Sequence, residues 1–404
     1  MKRGFLSAGH LPTLFASFFY FDMSFMIWVL LGPLGVQIAR DLALSPAQKG
    51  LMVAVPVLSG AVLRIVAGVM VDRLRPKFAG IILQFVVIVS LLAAWLIGVH
   101  SFEAILMVGL ALGVAGASFA VALPLASQWY PQEYQGTALG IAGAGNSGTG
   151  LSALFAPTLA VAFGWNNVFG FAVMPLVVAL AAFIWLARDS GKAPAPQKLI
   201  DYFRVLKIDD AWCFMFLYSV TFGGFVGLSS SLTIYFNDQY GLSPVVAEYF
   251  TAACVFAGSL VRPIGGAIAD KIGGISSLSV MYAVAACALG LISLGIWSAP
   301  LALFIMVVAM LAFGMGNGAV FQLVPQRFRR EIGVMTGLVG MAGGVGGFYL
   351  AFSLGVSKQL TGSYHPGFMV FAVLAAGALV MLVAIKRRWR RTWGAATELG
   401  TALI

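Results

Sequence analysis

Arg64 and Arg262 are set deep inside long apolar stretches, as is one acid, Asp22. The apolar stretches, as bounded below, contain no other acidic or basic residue. An arginine at the centre of a bilayer costs ~2.5–3.5 kcal/mol on insertion scales. Its guanidinium nevertheless stays charged. The pattern Gly60-x3-Arg64-x3-Gly68-x3-Asp72-Arg73 recurs 198 residues later as Gly258-x3-Arg262-x3-Gly266-x3-Asp270-Lys271. Each arginine therefore lies eight residues, ~12 Å of helix, from a charged end. That is near the middle of a ~30 Å hydrocarbon core. Glycines four residues before and after share the arginine's helical face and leave room for a ligand or a close helix. Two fixed positive charges facing one cavity repel unless an anion sits between them. The forked guanidinium suits a small planar oxyanion. The plainer alternative is a pair of arginines satisfied by carboxylates or helix carbonyls. Asp22 alone cannot neutralise both, so compensation of buried charge favours a bound anion.

The elements that position these residues must be membrane helices. The 404-residue chain is 61% hydrophobic and 9% charged, with a mean hydropathy of +0.97. Soluble domains are about 45–50% apolar and ~25% charged. A soluble enzyme, a disordered chain and a disulfide-rich secreted domain are excluded. Apolar runs occupy Leu11–Ala39, Gly50–Val71, Phe78–Val99, Ala104–Trp129, Gly136–Phe163, Val168–Ala187, Ala211–Phe236, Tyr249–Ala269, Ile275–Trp297, Leu301–Val324, Ile332–Ser357 and Phe368–Ile385. Their length fits helical spans of ~20 residues and not β-barrel strands of ~9–11. The first run is too long for a signal-peptide core and reads as an uncleaved helix.

The reading is an all-α membrane protein with twelve transmembrane helices. Residues 1–187 form an N-terminal six-helix half, 188–210 a linker with Pro194 and Pro196, 211–386 a C-terminal six-helix half, and 387–404 a tail. The net charge is +10. Of the 24 Lys and Arg, all but Arg40, Lys49, Lys358 and the two central arginines fall on one side of a twelve-span topology. The positive-inside rule places that side, with both termini, in the cytoplasm of a cell whose inner membrane the protein spans. The basic balance thus sets topology and implies no nucleic-acid partner. Cys213, Cys254 and Cys287 match no metal spacing.

The 198-residue offset also pairs Leu44-Ser45-Pro46 with Leu242-Ser243-Pro244. It pairs Gly143-Ala-Gly145-Asn146-Ser-Gly148 with Met341-Ala-Gly343-Gly344-Val-Gly346. Two six-helix halves repeated in the same topology are the arrangement of major facilitator transporters, with the site between the halves at the midplane. The segment from Gly68 to Lys77 resembles that superfamily's loop motif between helices 2 and 3. The paired glycine-rich helices 5 and 11, with an arginine in helices 2 and 8, resemble the nitrate/nitrite porter family. The stretches Tyr20–Met26, Gly50–Pro56 and Gly113–Pro124 look most like bacterial assimilatory nitrate transporters.

The resemblance implies further site residues. Asn146 matches the family asparagine at the substrate. Tyr218 and Phe222 match the aromatic residues lining the anion site, and Phe119 matches the opposing ring. An amide and a phenol can donate to nitrate oxygens. Apolar rings would make a dry slot that strengthens the Coulomb attraction. Gly143, Gly145, Gly148, Gly343, Gly344 and Gly346 are expected to let helices approach and slide. Asp72 and Arg73 are expected to form a cytoplasmic latch that biases one access state, or simply to anchor the chain. Gly143-x-Gly145-x-x-Gly148 also spells a dinucleotide fingerprint, but it lies within an apolar helix with no preceding strand. His10, His100 and His365 sit at helix ends, no metal cluster is present, and no cofactor or enzymatic constellation is expected.

The expected function is nitrate import, with nitrite as a further substrate, by a monomeric secondary transporter. Import of an anion against a negative-inside potential costs ~2.3 kcal/mol per 100 mV. Uptake therefore needs cation cotransport or anion exchange. The resemblance favours proton symport, with Asp22 as the candidate coupling residue. Nitrate/nitrite antiport is the alternative, followed by an organic-anion or phosphate-ester carrier. A receptor on a transporter fold would need a larger output region than the linker and tail provide.

Overall fold

In the computed structural model, residues 5–190, 203–328 and 331–393 are described. Most of the expected linker (191–202), Arg329, Arg330 and the tail from 394 lie outside them. Helices α1 to α4 are Leu11–Trp28, Pro46–Leu74, Pro76–Ile97 and Phe102–Ser127. α5 is made of three consecutive pieces, Gln132–Gly143, the 3₁₀ turn Ala144–Ser147 and Gly148–Phe163. α6 is Trp165–Leu186, α7 Asp209–Tyr240, α8 Pro244–Ile272 and α9 Gly274–Ile292. α10 is Ala299–Arg327, α11 Ile332–Thr361 and α12 His365–Arg391. Eleven of these, among the described residues, are long and apolar enough to cross a membrane. The segmented α5 supplies the twelfth path.

Local chemistry fixes the ends. Ser45 and Gln48 form a reciprocal capping box with Pro46 in the first turn of α2, and Ser243 caps α8 by accepting from the Val246 N–H, with Pro244 behind it. The two Leu-Ser-Pro motifs are therefore helix starts. Several boundaries differ from the sequence reading: α12, for one, runs on to Arg391, past the expected start of the tail at 387, and three other differences bear on the site. The first helix ends at Trp28, and turns containing Gly32 and Pro33 lead to a short helix, Gly35–Asp41. α5 loses regular α geometry at its glycines, which have low helix propensity. α8 starts five residues earlier than the apolar pattern suggested, because the cap at Ser243 holds Val245–Glu248 in the helix.

The halves meet along two seams, α2 against α11 and α5 against α8. Glycine makes the first seam close. A Cβ on Gly50 would lie 2.8 Å from the Gly355 Cα, and one on Gly344 would lie 2.5 Å from the Ala61 Cβ. On the face bearing Pro46 and Pro244 the halves are also tied by polar contacts. Lys49 pairs with Asp238 at 3.0 Å and the Ala47 N–H donates to Gln359 at 3.0 Å, while within the C-terminal half Tyr364 donates to the same Asp238 carboxylate at 2.7 Å. At the other, basic face, a cavity of about 1650 Å³ opens between the halves. Pro124, Trp129 and Ala144 line it from one half, and Arg262, Phe321 and Thr336 from the other.

Candidate functional site

Arg262 stands on the wall of this cavity, and Arg64 lies beyond it, 1% exposed. Arg64 belongs to an uninterrupted α2. Its Nε donates to the Gly116 carbonyl at 3.1 Å and its Nη1 to the Gly340 carbonyl at 2.5 Å. The first acceptor exists because α4 breaks between Gly116 and Phe119. There the Ala120 N–H turns to Ala117, which leaves the Gly116 carbonyl outside the ladder. The second acceptor belongs to α11, so Arg64 bridges the halves.

Arg262 lies at a bend. α8 is interrupted at Val261, and Pro263 follows the arginine, removing a helix N–H. Arg262 Nη2 donates to the Tyr218 hydroxyl at 3.4 Å. Arg64 Nη2 and Arg262 Nη1 are buried without a hydrogen-bond partner. Neither guanidinium is ion-paired among the described residues.

Aromatic rings enclose both charges. The Arg64 Cζ lies 5.0 Å from the centroids of Trp28 and Phe222, 5.2 Å from Phe119 and 6.0 Å from Phe25. Arg262 lies 5.7 Å from Phe321. The rings connect the two sites: Phe119 is 6.1 Å from Phe321, and Tyr218 stacks on Phe222 at 5.1 Å. Trp28 is aimed by its indole N–H, which donates to the Pro56 carbonyl at 2.7 Å. Ring faces are negative and favour a nearby cation, but they supply no net counter-charge. A small anion bound here would meet two unshared guanidinium donors in an apolar surround.

The structure thus brings together Arg64, Arg262, Tyr218, Phe222 and Phe119. Asn146 is buried in the 3₁₀ turn that packs against α1 and α8, with its amide oxygen unpartnered. No hydrogen bond joins it to either arginine among the described residues. Gly145 and Gly148 admit Phe21 and the Asp22 backbone of α1, and a Cβ on Gly143 would be 3.8 Å from the Arg262 Cζ. Gly343 faces the Tyr218 and Phe222 rings, Gly344 faces α2, and Gly346 lies on the Ser219 carbonyl. Asp22 is buried and accepts a 2.6 Å hydrogen bond from Ser147. Asp72 is half-buried and Arg73 exposed at the basic end of α2. The adjoining loop is held within its own half, where Lys77 N–H donates to Asp189 at 3.0 Å.

Sequence reasoning missed Trp28, Phe25 and Phe321, which carry no distinguishing signal in apolar helices rich in aromatic residues. It also counted Asp22 as the sole acid at depth. That is corrected by Glu248, which lies in the first turns of α8 and is 0% exposed. By hydropathy the helix starts at Tyr249, which leaves Glu248 in the preceding loop, whereas α8 starts at Pro244.

The sequence matches the Major Facilitator Superfamily over residues 13–351. A "nitrite extrusion protein" of Bacillus subtilis is 33% identical over 368 residues, covering 89% of this chain and 90% of that one. A "probable nitrate/nitrite transporter NarK2" of Mycobacterium tuberculosis is 34% identical over 370 residues, covering 89% and 91%. The "probable nitrate/nitrite antiporter NarK1" of Thermus thermophilus is 29% identical over 398 residues, covering 91% and 89%. The crystal structure of a bacterial homologue of the lysosomal transporter Spinster superposes with a TM-score of 0.67 at 16% identity, covering 94% and 96%. The chain is a multi-pass integral membrane transporter of the major facilitator superfamily and no enzyme. Within that superfamily it belongs with these NarK-type relatives.

Proposed function

We propose that this protein carries nitrate, and also nitrite, across the cytoplasmic membrane by alternating access between its two halves. The observation that carries the reading is the pair of buried arginines, each with a guanidinium nitrogen left unpartnered and, among the described residues, no carboxylate in contact. Buried charge demands compensation. A planar monovalent oxyanion meets that demand with two forked donors, and Asn146 and Tyr218 add polar groups at the rim. The names of the relatives support the same ligand class.

The basic face is assigned to the cytoplasm, with both termini there and the cavity open inward. Arg64 donating to Gly340 across the seam gives the ligand a way to influence both halves. Asp72 and Arg73 are assigned to the latch at the cytoplasmic end of α2. The working unit is one chain.

Import requires at least two protons per nitrate if it is to move net positive charge inward down the potential. Asp22 is the assigned coupling group for symport, since its carboxylate meets α5 at the Ser147 hydroxyl beside Asn146. Exchange for internal nitrite is the second reading. It is favoured by the absence, among the described residues, of any carboxylate contacting the central arginines and by the name of the Thermus relative. Nitrate accumulation in proteoliposomes separates them. Under an acid-outside gradient, accumulation without internal nitrite, collapsed by a protonophore, means symport. Uptake that requires trapped nitrite means exchange. No nitrate movement in either condition would overturn the substrate assignment.

A further inference from the structure

We propose that Glu248 is a proton-binding site of the external seal, and that the seal closes over the anion only when this carboxyl is protonated. The inference rests on the alternating-access reading above. Glu248 is 0% exposed, and both of its carboxylate oxygens lack a hydrogen-bond partner. The other buried acids differ. Asp22 accepts from Ser147, and Asp210 is held by Arg327, Arg388 and Trp389. Burying an ionised carboxylate with no donor costs several kcal/mol, far more than burying the neutral acid.

The placement on α8 connects this carboxyl to the transport path. At 3.6 residues per turn, Glu248, Ala252, Val255 and Ser259 form one strip. All four are buried, and the strip runs down to the bend at Val261, directly before Arg262. One flank of it meets α5, where Phe256 touches Gly150. The other meets α7 and α10, where Thr251 bonds Thr233 and Gly258 lies on Met310. The strip between these flanks points toward the axis between the halves. The 198-residue repeat equates Glu248 with Gly50, which lies on Gly355 in the α2–α11 seam. Glu248 thus holds the corresponding station of the α5–α8 seam, where a compact glycine is replaced by an acid.

Among the described residues no charged neighbour accounts for it. The 3₁₀ turn and final piece of α5 carry no titratable residue, and α10 carries only Arg327 at its far, basic end. At Glu248's depth α7 bears Tyr235, Asp238 and Tyr240. The tyrosine hydroxyls pair with each other, and Asp238 is engaged by Lys49 and Tyr364. On α8 itself Tyr249 is exposed. Opening of the external face parts α8 from α5 and wets Glu248, so it ionises. Closing takes one proton from the outside. Ala252 and Val255 separate Glu248 from the cavity and offer no relay inward. The proton returns outside on reopening, and Glu248 sets the pH dependence of the cycle without supplying cotransported charge.

Two measurements on the full-length protein test this. The first is the infrared carbonyl band of a protonated carboxylic acid, taken as wild type minus Glu248→Gln in membranes at neutral pH without substrate. A positive band is expected. A carboxylate band, or no band, would overturn the assignment. If Glu248→Gln does not fold, Glu248→Asp serves, with a shifted band expected. The second is exchange of internal nitrate for isotope-labelled external nitrate at fixed internal pH and zero voltage. Raising the external pH should slow the wild type several-fold and leave Glu248→Gln unchanged. A Gln variant with the wild-type pH profile would sink the proposal. Absence of exchange in the wild type would instead count against the carrier reading, while the infrared band still decides the proton site.

Discussion

Arg64 and Arg262 reach the same stacked pair of rings from opposite halves of the molecule. Arg64 lies 5.0 Å from Phe222, and Arg262 donates to the hydroxyl of Tyr218, one helical turn away on α7. The stack brings two charges related by the internal repeat to one aromatic partition, although Arg64 sits in a continuous helix and Arg262 at a proline-associated bend.

Lysine at either position keeps the charge and loses the planar fork. Arg64→Lys would lose at least one of the two carbonyl bonds that hold its guanidinium. Initial rates of nitrate uptake should fall at least about tenfold in each single variant, equivalent to roughly 1.4 kcal/mol. Near-normal uptake at equal protein abundance in both would contradict the placement.

In the proposed orientation the Lys49–Asp238 pair lies on the external face, opposite the cavity, and ties the two halves together. Its side chains are 21% and 18% exposed, so its net worth is about 1 kcal/mol or less. Asp238→Asn also weakens the acceptor for Tyr364. It should raise the outward-open population up to about fivefold. The readout is labelling of a cysteine at Ala351, now 1% exposed, by an impermeant maleimide from outside. Unchanged labelling would remove the pair as a lock.

Gly344 tests the sliding seam. Valine there collides with Ala61, whereas valine at Gly377 on α12 meets nothing within 4 Å. Overpacking costs about 1–3 kcal/mol. Gly344→Val should cut transport at least tenfold and Gly377→Val should leave it unchanged. Equal activity of the two would show that the α2–α11 approach is not required.

Asp210 supports the C-terminal half. It accepts from Arg327 at 2.6 Å, Arg388 at 2.5 Å and Trp389 at 2.8 Å. Removing one member of a buried ion pair costs about 3–5 kcal/mol. Partial exposure of the two arginines, at 29% and 47%, reduces this to roughly 1–3 kcal/mol. Asp210→Ala should lower the unfolding temperature of the detergent-solubilised protein. A shift under about 1 °C would contradict the role.

Much of this was legible in the chain because the bilayer makes charge costly. Arg64, Arg262 and Asp22 stand out against apolar neighbours, and the 198-residue repeat supplies the symmetry that relates the arginines. The identities of Phe119, Tyr218 and Phe222 came through resemblance, since an aromatic ring in an apolar helix has no signal of its own. Trp28 shows why: its role depends on a hydrogen bond to Pro56 on the next helix. Glu248 was hidden for a different reason. Ser-Pro-Val-Val-Ala-Glu reads as a loop by hydropathy, and only the cap at Ser243 carries the helix through it. The bond between Lys49 and Asp238 joins residues 189 apart in the chain, which no local pattern encodes.

The proton-coupling assignment of Asp22 has its own test. Asp22→Asn keeps a polar partner for Ser147 but cannot titrate. It should abolish proton-driven nitrate accumulation and leave nitrate/nitrite exchange within about twofold. Unchanged proton-driven accumulation would return Asp22 to a structural role.

The central claim is that one nitrate is held between Arg64 and Arg262. Titration calorimetry of nitrate into the purified protein, in a buffer of a bulky non-binding anion, tests it most directly. One site per chain is predicted, lost in both Arg64→Lys and Arg262→Lys while the folded yield is retained. Wild-type binding in both lysine variants would place the anion elsewhere.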